Sequence, residues 1–186
     1  MPIETYRQAV VPALSMHQPI IITGFMGAGK TTVAQALARL LNCSVIDLDQ
    51  MITEKEIRSP KEIIEQDGEP AFRDVETRRL REALVLEPHG VIALGGGAWT
   101  LQQNRDLIVQ HHGYAVWLDA PFELCWQRIV AGEGGRPLAP NEEQARRLYA
   151  ERRHFYELAS LHLIADGKMS VDDLATIIAG SFVKTD

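Results

Sequence analysis

The amino-acid sequence predicts an α/β fold, a parallel β-sheet covered by helices, on three observations. Short β-branched or apolar runs alternate with helical stretches from residue 20 onward. A glycine-rich turn, GFMGAGKTT at residues 24–32, follows the first of those runs and opens a helix. The chain has 186 residues, enough for one well-packed domain and short for two.

Residues 1–18 read as a leader that ends at Pro19, and residues 19–186 as a single domain. The first strand is Ile20–Thr23, with further strands expected at 44–48, 91–94, 115–118 and 161–165. In the first helix Val33, Leu37, Leu40 and Leu41 recur at i, i+4, i+7 and i+8, which predicts one buried stripe. Ser59, Pro60, Lys61 and Glu62 spell a capping box with proline at the first helical position, and Pro70 opens another helix running to about Leu86. Later, YAERRHFYELA at 149–159 extends a stripe of Ala145, Leu148, Tyr149, Arg152, Tyr156 and Ala159, with Arg153 on the next face toward solvent. In open sheets of this type ligands sit beyond the carboxyl ends of the strands, where the polar motifs of this chain fall.

Composition removes several classes. At 46% hydrophobic and 24% charged residues the chain reads as a soluble globular protein, and nothing approaches the roughly 18 consecutive apolar residues of a membrane helix. The start, Met-Pro-Ile-Glu-Thr-Tyr-Arg, lacks the basic and apolar regions of a secretory signal, and Cys43 and Cys125 match no metal-ligand spacing, so a reducing cytoplasm is expected. A net charge of −6 argues against nonspecific nucleic-acid binding, which needs a basic surface. Small anions held at local basic pockets are the expected ligands, with no membrane or nucleic-acid partner and a monomeric chain.

The pattern G-x-x-x-x-G-K-[ST] is met by Gly24, Gly29, Lys30 and Thr31. Its place between strand and helix turns backbone N–H groups and a helix dipole toward an anion, so a nucleotide is expected there. Lys30 would neutralise the outer phosphates and the Thr31 hydroxyl would ligate magnesium. VIDLDQ sets Asp47 and Asp49 at the end of the second strand, where a period of two predicts that both carboxylates point to one side. One is suited to hold magnesium through water, the other to orient an acceptor hydroxyl and take its proton. Arg73 and Glu76, three apart, share a helix face with Leu80. Gly95, Gly96 and Gly97 leave the backbone bare for close approach by a ligand. Arg152, set in an apolar stripe, needs an anionic partner, and a substrate carboxylate would serve. The stretch AGEGGRPLAPNEE, about 131–143, reads as a mobile lid carrying Arg136 to the transferring group and excluding water.

Taken together, these motifs make residues 19–182 resemble shikimate kinase. The marks are GFMGAGKTT, the D-x-D of Asp47 and Asp49, DGEPAFRDVE at 67–76, the glycine triplet, Arg-Pro-Leu in the lid, and Arg152 with Tyr156. The resemblance implies a P-loop NTPase fold of the nucleoside monophosphate kinase type, with a five-stranded parallel sheet of order 2-3-1-4-5 and a substrate-binding lobe at about 49–86. It implies transfer of the γ-phosphoryl of ATP to the 3-hydroxyl of shikimate, with magnesium, on the way to chorismate and the aromatic amino acids. ATP would be held by Gly27, Ala28, Gly29, Lys30, Thr31 and Thr32, with Arg128 flanking the adenine and Lys30 and Arg136 attending the phosphate in transfer. Shikimate would be bound by Asp49, Arg73, Gly95, Gly96, Gly97, Leu138 and Arg152, with both arginines on its carboxylate, Glu76 supporting Arg73, and Asp49 on the reacting hydroxyl. Magnesium would be held by Thr31 and, through water, by Asp47. Departures from the family pattern at Pro60, Ile64, the Arg-Pro-Leu-Ala lid and Arg-Arg-His-Phe-Tyr fall on pocket walls. Two other readings fit the residues: a related kinase of the gluconate kinase kind, and a nucleotide-dependent binding module without catalysis, which intact Lys30, Asp49 and Arg136 speak against.

Overall fold

Strand β1 (Ile20–Thr23) has every residue at 0% exposure. Because neighbouring side chains in a strand point to opposite faces, both faces of the sheet are covered at this point. The computed structural model describes residues 18–132 and 138–181, and the account of the structure below concerns those residues. Its five parallel strands are β1, β2 (Val45–Asp47), β3 (Val91–Ala93), β4 (Tyr114–Asp119) and β5 (Leu161–Ile164), in the order β2-β3-β1-β4-β5. Ile20 pairs with Val91 on one side and with Tyr114 on the other. The first connection leaves β1 toward β2 on one flank, and the third leaves β3 toward β4 on the other. The carboxyl ends of β1 and β3 therefore flank a topological switch point, where a crevice opens.

Local chemistry starts and stops each helix. Helix α1 (Lys30–Leu41) begins after Gly29 and ends at Asn42, whose left-handed backbone closes the last turn. Helix α2 (Leu48–Glu56) is capped by Asp47, whose carboxylate accepts from the Gln50 N–H at 3.1 Å. Helix α3 (Pro60–Asp67) carries the capping box of Ser59 and Glu62, and α4 (Glu69–Leu86) starts with Pro70 in its first turn. A short 3-10 turn (Ala98–Thr100) precedes α5 (Gln102–Gln110), and α6 (Phe122–Ala131) follows β4. Helix α7 (Glu142–Tyr156) is capped by Asn141 and α8 (Val171–Gly180) by a Ser170–Asp173 box. No helix among the described residues is long and apolar enough to cross a membrane.

Several sequence expectations are corrected. The second strand stops at Asp47, so Asp49 lies in the first turn of α2, not in a strand, and the period-two reading does not apply to the pair. Leu40 is 40% exposed: the buried face of α1 is Val33, Ala34, Ala36, Leu37 and Ala38, small residues that let it pack closely on β3 and α8. Helix α7 ends at Tyr156, leaving Ala159 in the turn beyond it. Arg153 is not simply solvated, because its guanidinium grips both oxygens of Asp119 at 2.8 Å. The proposed lid overlaps helices at both ends, since Ala131 closes α6 and Glu142 opens α7. Arg136 lies outside the described residues, as does the leader apart from Gln18.

Of the described non-glycine residues with positive φ, Asn42, Ile57 and His112, only Ile57 is β-branched. Ile57, which ends α2, has φ 56° and ψ 23° with its side chain 84% exposed. A β-branched residue in the left-handed region costs roughly 1–2 kcal/mol, and here no burial offsets it. Ile57→Gly should raise stability by about 0.5–1 kcal/mol, the relieved strain less the extra chain entropy of glycine, seen as a rise of about 1–4 °C in Tm. An unchanged or lower Tm would contradict the account of that turn.

Candidate active site

The phosphate-type loop runs from the end of β1 into α1, and its geometry depends on glycine. Gly27 has φ 78°, and a Cβ there would sit 2.6 Å from the Cys125 carbonyl oxygen. Its own carbonyl accepts from Arg128 Nη1 at 3.0 Å, which ties α6 to the loop. Lys30 opens α1 and donates to the Phe25 carbonyl at 2.9 Å, lying along the inside of the loop. The helix N-terminus and Lys30 together concentrate positive potential at one mouth.

Across that mouth stands Asp47. Thr31 Oγ1 donates to Asp47 Oδ2 at 2.5 Å, while Asp47 Oδ1 caps α2. The two side chains thus place a hydroxyl and a carboxylate oxygen side by side. Hard oxygen donors of this kind suit magnesium, which takes one or two protein ligands and fills its shell with phosphate oxygens and water. No cluster of three or more His, Cys, Asp or Glu side chains that could hold a metal ion occurs among the described residues.

Beyond β3 the backbone of residues 95–97 meets a different charged group at each step. A Cβ on Gly95 would lie 2.8 Å from Asp49 Oδ1 and 2.9 Å from Glu76 Oε1; on Gly96, 3.7 Å from Arg152 Nη1; on Gly97, 2.4 Å from Arg73 Nη2. A side chain at Gly95 or Gly97 would force those charged groups to move, whereas the contact at Gly96 is an ordinary one. Arg73 is held on α4 by Glu76 Oε2 at 2.7 Å and Glu69 Oε1 at 2.8 Å. Tyr156 donates to the Gly96 carbonyl at 2.5 Å, pinning the triplet from the α7 side.

Burial sets the electrostatics. Glu76 is fully buried with Oε1 unpartnered among the described residues, and desolvation pushes its carboxyl up to about 7 against the lowering pull of Arg73. Burial opposes the charge on Arg73, yet Glu76 and Glu69 outweigh it and hold that guanidinium above its ordinary value. Arg152 is 7% exposed, and no carboxylate among the described residues lies within ion-pair distance of it. Its pKa is lowered, first by burial and further by the like charge of Arg73. A buried cation in that state favours an anion arriving in the cavity.

A cavity of about 360 Å³ unites these groups. Gly27, Gly29, Lys30, Thr31, Thr32, Asp47, Asp49, Arg73, Glu76, Gly95, Gly96, Gly97, Arg128, Leu138 and Arg152 all line it. Ala28 does not: it is buried beneath the loop and borders a second hollow of about 250 Å³ shared by Gly29, Thr32 and Arg128 with Ala165, Gly167 and Met169. Pro60 and Ile64 are on the cavity wall, as their family departures implied. Met26, Lys61, Phe72 and Leu94 also line it and were not singled out from sequence. Phe72 was detectable, being an aromatic residue directly before Arg73. Ala165, Gly167 and Met169 follow β5 and bear no local signal.

Comparison with known proteins agrees with this arrangement. The family model described as shikimate kinase matches residues 26–181. The shikimate kinase of Ruegeria pomeroyi is 38% identical over 165 residues, covering 87% of this chain and 83% of that protein. A shikimate kinase from Acinetobacter baumannii, solved in complex with shikimate, superposes with a TM-score of 0.84 at 34% identity, covering 92% of this chain and 97% of that one. A gluconokinase from Sinorhizobium meliloti, 15% identical, superposes with a TM-score of 0.62 over 91% of this chain and 93% of its own, a likeness of fold alone. With the model matching most of the chain and a relative of this identity covering most of both proteins, the chain belongs to the shikimate kinase family.

Proposed function

We propose that the chain transfers the γ-phosphoryl group of ATP to the 3-hydroxyl of shikimate, as a cytoplasmic monomer. The observation that carries the reading is Arg152, buried on the cavity wall without a carboxylate partner among the described residues, with Arg73 beside it and Asp49 across the glycine triplet. An acceptor with a carboxylate at one end and a reactive hydroxyl at the other matches that spacing of charges. The free thiols of Cys43 and Cys125 fit a reducing compartment.

In this reading the triphosphate lies along residues 27–32 with Lys30 on its outer phosphates, and the base enters the second hollow beside Arg128. Thr31 and Asp47 would hold magnesium, which supplies charge neutralisation on the phosphates. Arg73 and Arg152 orient the acceptor through its carboxylate, and Glu76 keeps Arg73 in place. Asp49 accepts the proton of the 3-hydroxyl as its oxygen bonds to the γ-phosphorus and the bond to the β-bridging oxygen breaks, releasing ADP. On sequence grounds Arg136 adds a cation at the transferring group. Positioning and charge stabilisation do most of the work, as this chemistry demands.

An acceptor panel in an ADP-release assay with ATP and magnesium tests the whole reading. Shikimate should turn over far above the acceptor-free background, whereas a tenfold advantage in kcat/KM for gluconate or another acid would reassign the acceptor.

Asp49→Asn keeps size and a hydrogen-bonding oxygen but cannot take the proton, so kcat should fall by about 10²–10⁴-fold. Arg152→Ala removes a charge-assisted contact to a group that does not change during reaction, so KM for shikimate should rise by the equivalent of roughly 2–3 kcal/mol with kcat little changed. Steady-state kinetics separate the two. Loss of ATP and shikimate binding together in Arg152→Ala would make that arginine a structural ion instead.

Gly97→Ala would drive a methyl into the Arg73 guanidinium, 2.4 Å from Nη2, and push that side chain off its ion pairs. Shikimate binding by calorimetry should weaken by about tenfold or more, roughly 1.4 kcal/mol, with nucleotide binding intact. Unaltered shikimate affinity would remove Arg73 from the acceptor site.

A further inference from the structure

Behind the cavity lies a buried polar network that none of the chemistry above uses. Asn104, at 0% exposure in α5, has its Oδ1 accepting from the Thr77 hydroxyl at 2.8 Å and its Nδ2 donating to the Ala98 carbonyl at 2.9 Å. The orientation of the amide is forced, because a carbonyl can only accept and so must face the nitrogen. Thr77 follows Glu76 directly and lies one turn beyond Arg73, and Ala98 follows the glycine triplet directly. The same 3-10 turn is tied to the other arginine helix: Trp99 Nε1 donates to the Phe155 carbonyl at 2.8 Å, three residues after Arg152. Arg105 Nη1 donates to the Trp99 carbonyl at 2.6 Å and holds that turn from below.

We propose that Asn104, with Thr77, is a positioning residue for acceptor binding: it locks α4 to the turn behind residues 95–97 and so sets where Arg73 stands relative to Arg152. Neither Asn104 nor Thr77 lines the cavity, so any effect on the acceptor passes through other groups. Asn104 is fully buried, so a missing partner for its amide is not replaced by solvent and the helix must shift to compensate; the Thr77 hydroxyl that donates to it also accepts from Gln103 Nε2 at 3.0 Å. A shift of α4 moves Arg73 with it, because Thr77 and Arg73 stand one turn apart on that helix, and the guanidinium lies where a Cβ on Gly97 would be. The nucleotide loop rests on β1 and α6 and has no member in this network.

The proposal rests on the reading of Arg73 and Arg152 as the carboxylate clamp, and the test separates the two. Thr77→Val keeps the shape and deletes the hydroxyl, Thr77→Ser keeps the hydroxyl, and Asn104→Leu removes both bonds of the amide. Thr77→Val and Asn104→Leu should raise KM for shikimate about tenfold, with kcat and KM for ATP within twofold of the parent, and Thr77→Ser should restore the parent KM. Equal rises in both KM values, an unchanged KM for shikimate, failure of serine to rescue, or a Thr77→Val protein that does not fold would each overturn it. Arg152→Ala is measured alongside. If it leaves KM for shikimate unchanged, the clamp reading itself fails. If it raises KM while Thr77→Val does not, only the positioning role is lost.

Discussion

Four charged side chains converge on three residues of backbone, and at two of the three a side chain would collide with them. Asp49 and Glu76 leave no room for a Cβ on Gly95, Arg73 leaves none on Gly97, and Arg152 stands at contact distance from the Cβ position of Gly96. The rest of the architecture serves that convergence. The sheet order opens a crevice beyond β1 and β3, α2 presents Asp49 from its first turn, α4 presents Arg73 and Glu76, and α7 presents Arg152. A Cβ on Gly95 would crowd Asp49 and Glu76, and one on Gly97 would crowd the ion-paired Arg73 guanidinium.

The charges in this wall are arranged for placement more than for stability. A buried ion pair such as Arg73–Glu76 repays its desolvation poorly, though breaking it by removing one partner is costly, on the order of 3–5 kcal/mol. What the pair contributes is a guanidinium with one orientation. Arg152 is the complementary case, a buried cation whose pKa is lowered by desolvation and by Arg73, with Tyr156 and Glu69 pulling the other way. The wall is therefore more comfortable with an anion against it, and that preference is built into the folded chain before a ligand arrives.

Much of this was legible in the sequence. The phosphate-type loop, the capping box at Ser59, Pro70 at the head of α4 and the Arg73–Glu76 spacing are local patterns, and local patterns survive in a one-dimensional reading. What was lost depends on contacts between distant segments. Leu40 looked buried because its spacing was right, but the covered face of α1 is Val33, Ala34, Ala36, Leu37 and Ala38, and Leu40 lies outside it. Arg153 looked solvated because its partner, Asp119, lies 34 residues away. Helix α2 was hidden because a strand and a helix abut at Asp47 with no loop between them. Asp47 and Asp49 were expected on one side of a strand end; both do line the cavity, but a helical turn and not strand alternation brings them there.

At that abutment one side chain joins two segments of the cavity wall. Asp47 divides its oxygens, Oδ2 toward Thr31 in the nucleotide loop and Oδ1 toward the first turn of α2, which carries Asp49. One planar carboxylate thus anchors both the head of α1 and the helix start that carries Asp49, so a substitution at Asp47 removes two anchors at once.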